Sequence, residues 1–297
     1  MTQLLWDGLF VGSFYALVAL GYSMVYGIVR LLNFAHGDLY MLGAFVGFVA
    51  LSAVGGLTAV TSLGALALAL VVAMTATGTA GLLIERVAYR PLRGSPRLAV
   101  LITAVGASFT LEYGIAATAG TRPRVFPVRL ESQSLEVLGV RLTVAQVLLM
   151  LFAVGLMLGL DAWVGRTSTG RAMRAIALDP RAAHLMGINV DAIISRTFFV
   201  GASLAGAAGV MAGAYYGKID FLMGFVIGLK AFTAAVIGGI GNLRGAMLGG
   251  LLLGLAESLG AHYLGGQWRD VCTFVLLIAF LSVRPTGLLG ERVTERV

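Results

Sequence analysis

Residues Gly12 to Ala44 read GSFYALVALGYSMVYGIVRLLNFAHGDLYMLGA. An apolar run reaching Val29 gives way to Asn33, His36 and Asp38, and apolar residues then resume. A helix needs about 20 apolar residues to cross the hydrocarbon core of a bilayer. The stretch therefore predicts two membrane spans parted by a polar interruption. Such an interruption reads in two ways. It is a plain turn between spans, or it is a broken-helix element whose free backbone groups face a substrate. Glycine-interrupted segments in the two halves of a transporter often point to a binding site. On that second reading the candidates are Asn33–Gly37 and Gly238–Gly245, although they do not hold matching positions in the two halves.

The rest of the chain repeats this pattern. Hydrophobic residues make up 59% of the 297 and charged residues 12%, about half the charged share of soluble domains. That balance excludes an ordinary soluble domain and indicates one all-α polytopic helix bundle across 1–297. Apolar runs fall near 4–28, 38–55, 58–83, 98–119, 143–164, 190–217, 222–242, 245–264 and 269–290. Because AVIGGIGNLRGAMLGG (Ala235–Gly250) is so rich in glycine, the seventh and eighth runs read either as two spans or as a re-entrant segment. The expectation is eight to nine spans. The net charge of +7 comes from basic residues scattered between apolar runs, which speaks for membrane orientation and against nucleic-acid binding. The N-terminus lacks the basic lead-in and cleavage site of a secretory signal, so the first helix is expected to stay in the mature protein.

Arginines set the orientation. Arg86, Arg90, Arg93 and Arg97 follow the third run. Arg166, Arg171, Arg174 and Arg181 follow the fifth, and Arg284, Arg292 and Arg296 close the chain. With nine spans all three groups share one side, which the positive-inside rule makes cytoplasmic. The N-terminus then faces out and the C-terminus in. Arg122, Arg124, Arg129 and Arg141 run against the rule. The first three precede, and Arg141 lies within, SLEVLGVRLTV, whose alternation predicts a short extracytoplasmic hairpin near 122–142.

Several function classes find no support. Gly217-Lys218 lacks the upstream glycine and the following Ser/Thr of a phosphate loop. His36, His184 and His262 are far apart, Cys272 is the sole cysteine, and no cluster has metal spacing. No catalytic serine motif is visible. What does stand out is intramembrane charge, which is costly in lipid and so calls for a partner or a role. Glu112, Lys230 and Glu257 are the instances. They read as a Lys–Glu pair neutralised between helices or as groups along a hydrated pathway. Gly201, Ala205, Gly209 and Gly213 recur every four residues, a row that lets helix backbones approach closely, within the chain or against another subunit.

One basic stretch is not a span: RAMRAIALDPRAAHLMGINV, Arg171 to Val190. Asp179 suits an N-cap, Pro180 the first helical position, and Gly187 a left-handed close. A short capped helix is therefore predicted on the surface, within a loop spanning 165–190.

With these residues in view, the sequence resembles the permease subunits of ABC importers for branched-chain amino acids, the LivH type. The likeness runs through Gly12–Ala44, IERVAYRPLRGS (Ile84–Ser95), TGRAMRA (Thr169–Ala175), LMGIN (Leu185–Asn189), KAFTAAVIGGIG (Lys230–Gly241) and PTGLLG (Pro285–Gly290). It implies that the surface helix is the coupling helix that docks in a groove of a cytoplasmic ATPase. The family pattern is Glu-Ala-Ala, three residues, Gly. Here Arg181 replaces the acidic residue, while Ala182, Ala183 and Gly187 match, so an ion pair of that residue cannot be carried over. The resemblance further implies a second related permease subunit, two ATPases that hold ATP and Mg, and an extracytoplasmic binding protein. No cofactor is expected on this chain itself. The implied cargo is leucine, isoleucine or valine, with urea or short amides as the alternative within the superfamily. A rival of another class is an ion-coupled secondary transporter using Glu112, Lys230 or Glu257 as a relay. Asn33 and His36 join those three as candidate pathway residues.

The orientation is open to a direct test. In a Cys272→Ala background, an impermeant thiol reagent applied from outside should label Ser132→Cys and spare Ser95→Cys. The opposite pattern overturns the topology.

Overall fold

The computed structural model describes residues 1–55, 63–128, 134–137, 140–284 and 286–290. Arg129, Ser132, Arg292 and Arg296 lie outside the described residues, as do the first residues of the third apolar run. Among the described residues eight helices are long and apolar enough to cross a membrane. They are α1 (Thr2–Val29), α2 (His36–Gly55), α3 (Leu63–Ile84), α4 (Arg97–Ala119), α5 (Val144–Arg166), α8 (Val190–Tyr216), α10 (Leu243–Leu264) and α11 (Arg269–Val283), the last led in by a 3-10 turn at Gly266–Trp268. Two short helices, α6 (Ser168–Leu178) and α7 (Pro180–Leu185), fill the loop after α5, and α9 (Met223–Gly238) precedes α10.

Local chemistry sets many of these boundaries. Thr143 and Gln146 form a capping box at the start of α5. The side chains of Asn189 and Asn242 accept from the amides of Ala192 and Gly245, both at 3.0 Å, and open α8 and α10. These bonds satisfy amides that have no partner within their helix. The seventh and eighth apolar runs are two helices and not one broken span, because Gly239 and Gly241 take positive φ of 105° and 91° between them. With 16 residues, α9 is about 24 Å long, short of a full hydrocarbon core. The last helix stops at Val283, well before 290. Arg284 precedes a proline, which disfavours helical backbone. The chain then folds back, and the amides of Leu288 and Leu289 donate to the carbonyls of Ile237 and Gly238 at 2.8 and 2.9 Å.

At the centre lie α1 and α8, apolar on every side and buried over most of their length, as expected of a helix with no polar face. They run antiparallel, with Gly21 against Gly201 and Phe10 edge-on to Tyr215. After α1, residues 30–35 turn back into the protein, and α2 begins beside Gly21. After α8, residues 217–222 turn back from the opposite end, and α9 begins against α2. A Cβ added at Gly37 would lie 2.4 Å from the Gly224 carbonyl oxygen and 2.6 Å from Gly228 Cα. The helices α2 and α3 pack on α8, while α9 and α10 pack on α1. The triplets α1–α2–α3 and α8–α9–α10 are thus an inverted repeat, the arrangement known from many transporter folds.

The hairpin appears as β2 (Ser134–Val137) and β3 (Val140–Thr143), antiparallel with Ser134 opposite Thr143. A second pair was not foreseen: β1 (Arg124–Val125) joins β4 (Lys218–Ile219). Both pairs lie at the end opposite the arginine-rich loops. Gly201, Ala205, Gly209 and Gly213 are all buried within the chain. Gly209 is the tightest of the row, since a Cβ there would come within 2.0 Å of the Tyr40 carbonyl oxygen.

Gly209→Val should therefore push α8 off α2 and cost about 1–3 kcal/mol, the usual range for overpacking. Gly155→Val, on a helix surface with nothing within 4 Å, should cost less. Thermal melting of the two variants in one detergent is the measurement.

Candidate functional site

Where α2 begins, its polar residues meet α4 inside the bundle. Asp38 is buried; one carboxylate oxygen, Oδ2, accepts from the Ser108 hydroxyl and the other, Oδ1, has no partner. Glu112 lies one helical turn beyond Ser108, also buried, and acts on Asp38 through its charge. His36 stacks edge-on with Tyr22 and bonds the backbone of Val18, leaving Nε2 without a partner. Asn33 accepts from the Tyr89 hydroxyl at 2.7 Å. Three of the five candidate pathway residues, Asn33, His36 and Glu112, are thus gathered around one helix start. Asp38 and Ser108 join them. Buried polar atoms nearly always find partners, and here two lack them at one helix start, His36 Nε2 against Gly21 and Asp38 Oδ1 against Gly224.

The other two candidates form a separate cluster. Lys230 Nζ lies 3.1 Å from Glu257 Oε1 and 2.7 Å from Asp270 Oδ1. The Tyr15 hydroxyl donates to Glu257 Oε2 at 2.7 Å, and Arg269 Nε stands 3.4 Å from Oε1. Side chains from α1, α9, α10 and α11 therefore converge on one buried carboxylate. This is the neutralised pair between helices, and it has more members than a Lys–Glu pair.

A third ionic knot went unnoticed in the sequence. A π-helical turn, Glu85–Tyr89, follows α3, and Glu85 is fully buried there. Its carboxylate accepts from the Ser195 hydroxyl at 2.7 Å and pairs with Arg93, which also pairs with Asp191. Arg90 Nε adds a contact at 3.5 Å. The sequence signal was an acidic residue opening an otherwise basic loop.

The short surface helix is built as its sequence implied. Asp179 caps α7 by accepting from the amides of Arg181 (2.8 Å) and Ala182 (3.1 Å). Pro180 occupies the first turn, and Gly187 follows with φ 83°. Arg181 and Ala182 are exposed, whereas Ala183 turns into its own chain. Leu178, Leu185 and Met186 are exposed by 86%, 87% and 82%. Three apolar side chains this bare, on one loop outside the spans, are the kind of surface that marks a protein interface. Sequence reading missed all three, because leucines and methionines carry no signal in so apolar a chain.

Residues 4–281 match the family model described as the permease component of branched-chain amino acid transport systems. The chain belongs to this family. It is 45% identical to the high-affinity branched-chain amino acid transport system permease protein BraD of Pseudomonas aeruginosa, over 99% of this chain and 97% of that one. The permease protein LivH of Escherichia coli is 43% identical over the same shares. Among solved structures, a chain of PsaBC from Streptococcus pneumoniae in complex with Fab gives a TM-score of 0.48 at 13% identity, covering 94% of this chain and 91% of that one. Family membership makes this chain a multi-pass permease, a non-catalytic membrane component of a transport system.

Within that permease the Lys230 knot is testable by charge balance. Lys230→Met leaves Glu257 buried with its main cation gone and should cost about 3–5 kcal/mol. Adding Glu257→Leu should recover most of the loss, since an apolar pair of similar volume is close to neutral. Melting curves of the single and double variants check this. A double variant less stable than Lys230→Met refutes the pairing argument.

Proposed function

We propose that this permease moves leucine, isoleucine and valine inward across the inner membrane, in a complex driven by two cytoplasmic ATPases. The ATPases hold ATP and Mg. A second, related permease completes the membrane part, and an extracytoplasmic binding protein delivers the amino acid. The identity of 43–45% to permeases named for that cargo supports the substrate. The same level of likeness does not favour urea or short amides. The observation that carries the ATPase partnership is the α6–α7 loop, 165–190: it holds a capped helix outside the spans and leaves Leu178, Leu185 and Met186 bare. An ion-coupled carrier has no use for such a dock.

In this reading the arginine-rich end is cytoplasmic and the strand pairs are extracytoplasmic. The ATPase surface comprises Arg181, Ala182, Leu185 and Met186. Ala183 and the left-handed Gly187 shape the helix behind it, and Asp179 holds its first turn. Translocation passes near the junction of α2 and α9, where Asp38 Oδ1 and His36 Nε2 have no protein partner. Asn33 and Glu112 line the same region. An amino acid needs an anion acceptor for its ammonium and donors for its carboxylate. Buried carboxylates and the N-termini of two helices are of the right kind.

Two variants test the dock. Leu185→Asp should remove an apolar anchor without disturbing the spans. Gly187→Val places a β-branched side chain at positive φ, which it tolerates poorly. Both should lose the ATPases in pull-downs with tagged permease and lose ATP-driven leucine uptake, while membrane abundance stays near normal. Retained ATPase binding and uptake in both removes the coupling role.

A further inference from the structure

The arginine-rich end of the bundle contains a cleft of about 530 Å³ between the end of α3, the end of α5 and the first turns of α8. Its lining has two characters. Arg86, Arg90 and Arg196 supply cationic groups, and Asp191 is the one acidic side chain among them. That aspartate is already paired with Arg93, and Arg90 is engaged by Glu85 and Ser195. Arg86 and Arg196 make no hydrogen bond or ion pair with any described residue, and both are exposed. Two free guanidiniums therefore face a single cleft. The remaining wall is apolar: Leu82, Phe199 and Val200 lie deeper along α3 and α8, and Trp163 stands at the edge. Beside the cleft, Leu83 and Val87 present bare apolar surface, exposed by 54% and 75%.

We propose that this cleft binds the phosphate headgroup of an acidic phospholipid, with Arg86 and Arg196 on the phosphate and the acyl chains against Leu82, Phe199 and Val200. Guanidinium is the side-chain group best matched to phosphate, which it binds through two parallel hydrogen bonds. Basic pockets between membrane helices favour anionic lipid headgroups, and a tryptophan commonly marks the level of the headgroups. A small soluble anion would use the arginines and leave the apolar wall uncovered. A neutral lipid would cover the wall and leave the arginines without a counter-charge. An acidic phospholipid satisfies both. The cleft also adjoins the coupling loop, since Asn189 lines it and caps α8 two residues after Gly187. The bound lipid would thus brace the point where that loop enters the bundle.

The test uses the permease purified with its partner subunits. Thermal melting is measured in detergent alone, with phosphatidylglycerol, with phosphatidylcholine, and with inorganic phosphate at matched ionic strength. Native mass spectrometry counts the lipids retained. Phosphatidylglycerol should raise the melting temperature, and the other two additions should not. Arg86→Gln with Arg196→Gln should lose at least half of that rise and retain one phosphatidylglycerol fewer. Arg171→Gln, exposed outside the cleft, should behave as the parent. An equal rise in the double variant, an equal rise with phosphatidylcholine, or a rise reproduced by phosphate alone would each overturn the proposal. If the double variant does not assemble, single variants decide. Arg196→Lys should keep the lipid and Arg196→Gln should lose it, and equal retention by both again overturns the idea.

Discussion

No backbone polar group can be left bare in hydrocarbon, and this permease has two non-helical re-entrant crossings, 30–35 and 217–222, that lead from exposed residues at opposite ends of the bundle to the buried starts of α2 and α9. Unwound backbone at membrane depth is tolerated only where protein or a water-filled cavity surrounds it. Much of the architecture follows. The helices α1 and α8 are long and buried because they wall in the crossings that follow them. Glycines stand at the crossing points because two helix starts and two through-helices must fit together there. The unforeseen ladder between β1 and β4 has the same origin. Arg124 pairs with Ile219 and Val125 with Lys218, and Phe126 donates to the Gly217 carbonyl at 2.9 Å. These bonds give the second crossing its partners. The first is shorter of strand partners and leans on caps and side chains: the Arg30 amide reaches the Tyr26 carbonyl at 2.8 Å, and Asn33 is held by Tyr89.

The first crossing was legible, because Asn33, His36 and Asp38 interrupt an apolar run. Its counterpart was not. Gly217–Leu222 reads as an ordinary loop between spans. The glycines of 238–245, which carry the louder broken-helix signal, serve another use. A Cβ at Gly238 would lie 2.0 Å from the Gly245 carbonyl oxygen, so they permit a tight turn between α9 and α10. Glycine density marks close approach of backbones, and a broken helix is only one setting for it. The same limit hid Glu85. A lone carboxylate among Arg86, Arg90 and Arg93 looks like an orientation signal, and only a π-helical turn brings it under α8 to meet Ser195. By contrast Glu112, Lys230 and Glu257 were visible as charge within apolar runs, since lipid leaves few other reasons for it.

The two halves of the inverted repeat are fastened by different chemistry. Between α1, α9 and α10 the link is ionic, through Tyr15, Lys230 and Glu257. At the matching depth between α2, α3 and α8 it is neutral, and the ionic tie of α3 to α8 lies at the arginine-rich end, through Glu85, Arg93 and Asp191. Ser203 donates to the Met74 carbonyl at 2.8 Å, and Gly206 packs on Thr77. A buried ion pair is bound to one geometry, because separating its members leaves charge unpaired. The two sides thus differ in where the ionic link sits, within the spans on the α1–α9–α10 side and at the helix ends on the α2–α3–α8 side.

The α6–α7 loop is attached to both sides of that division. Arg30, the only described residue other than glycine with positive φ (53°), donates from its guanidinium to the Ala177 carbonyl at 3.2 Å. This ties the end of α6 to the point where α1 stops and the first crossing begins. On its other side the Ile188 amide donates to the Ala183 carbonyl at 3.1 Å, and Asn189 then caps α8. Arg93 binds Asp191 one step further on and links it to Glu85. A helix of six residues has little rigidity of its own, and α7 owes its position to these ties. These ties join it to two places, the last turn of α1 and the first turn of α8. Those are the opening helices of the two repeats, and each leads through a crossing to the junction where α2 and α9 meet.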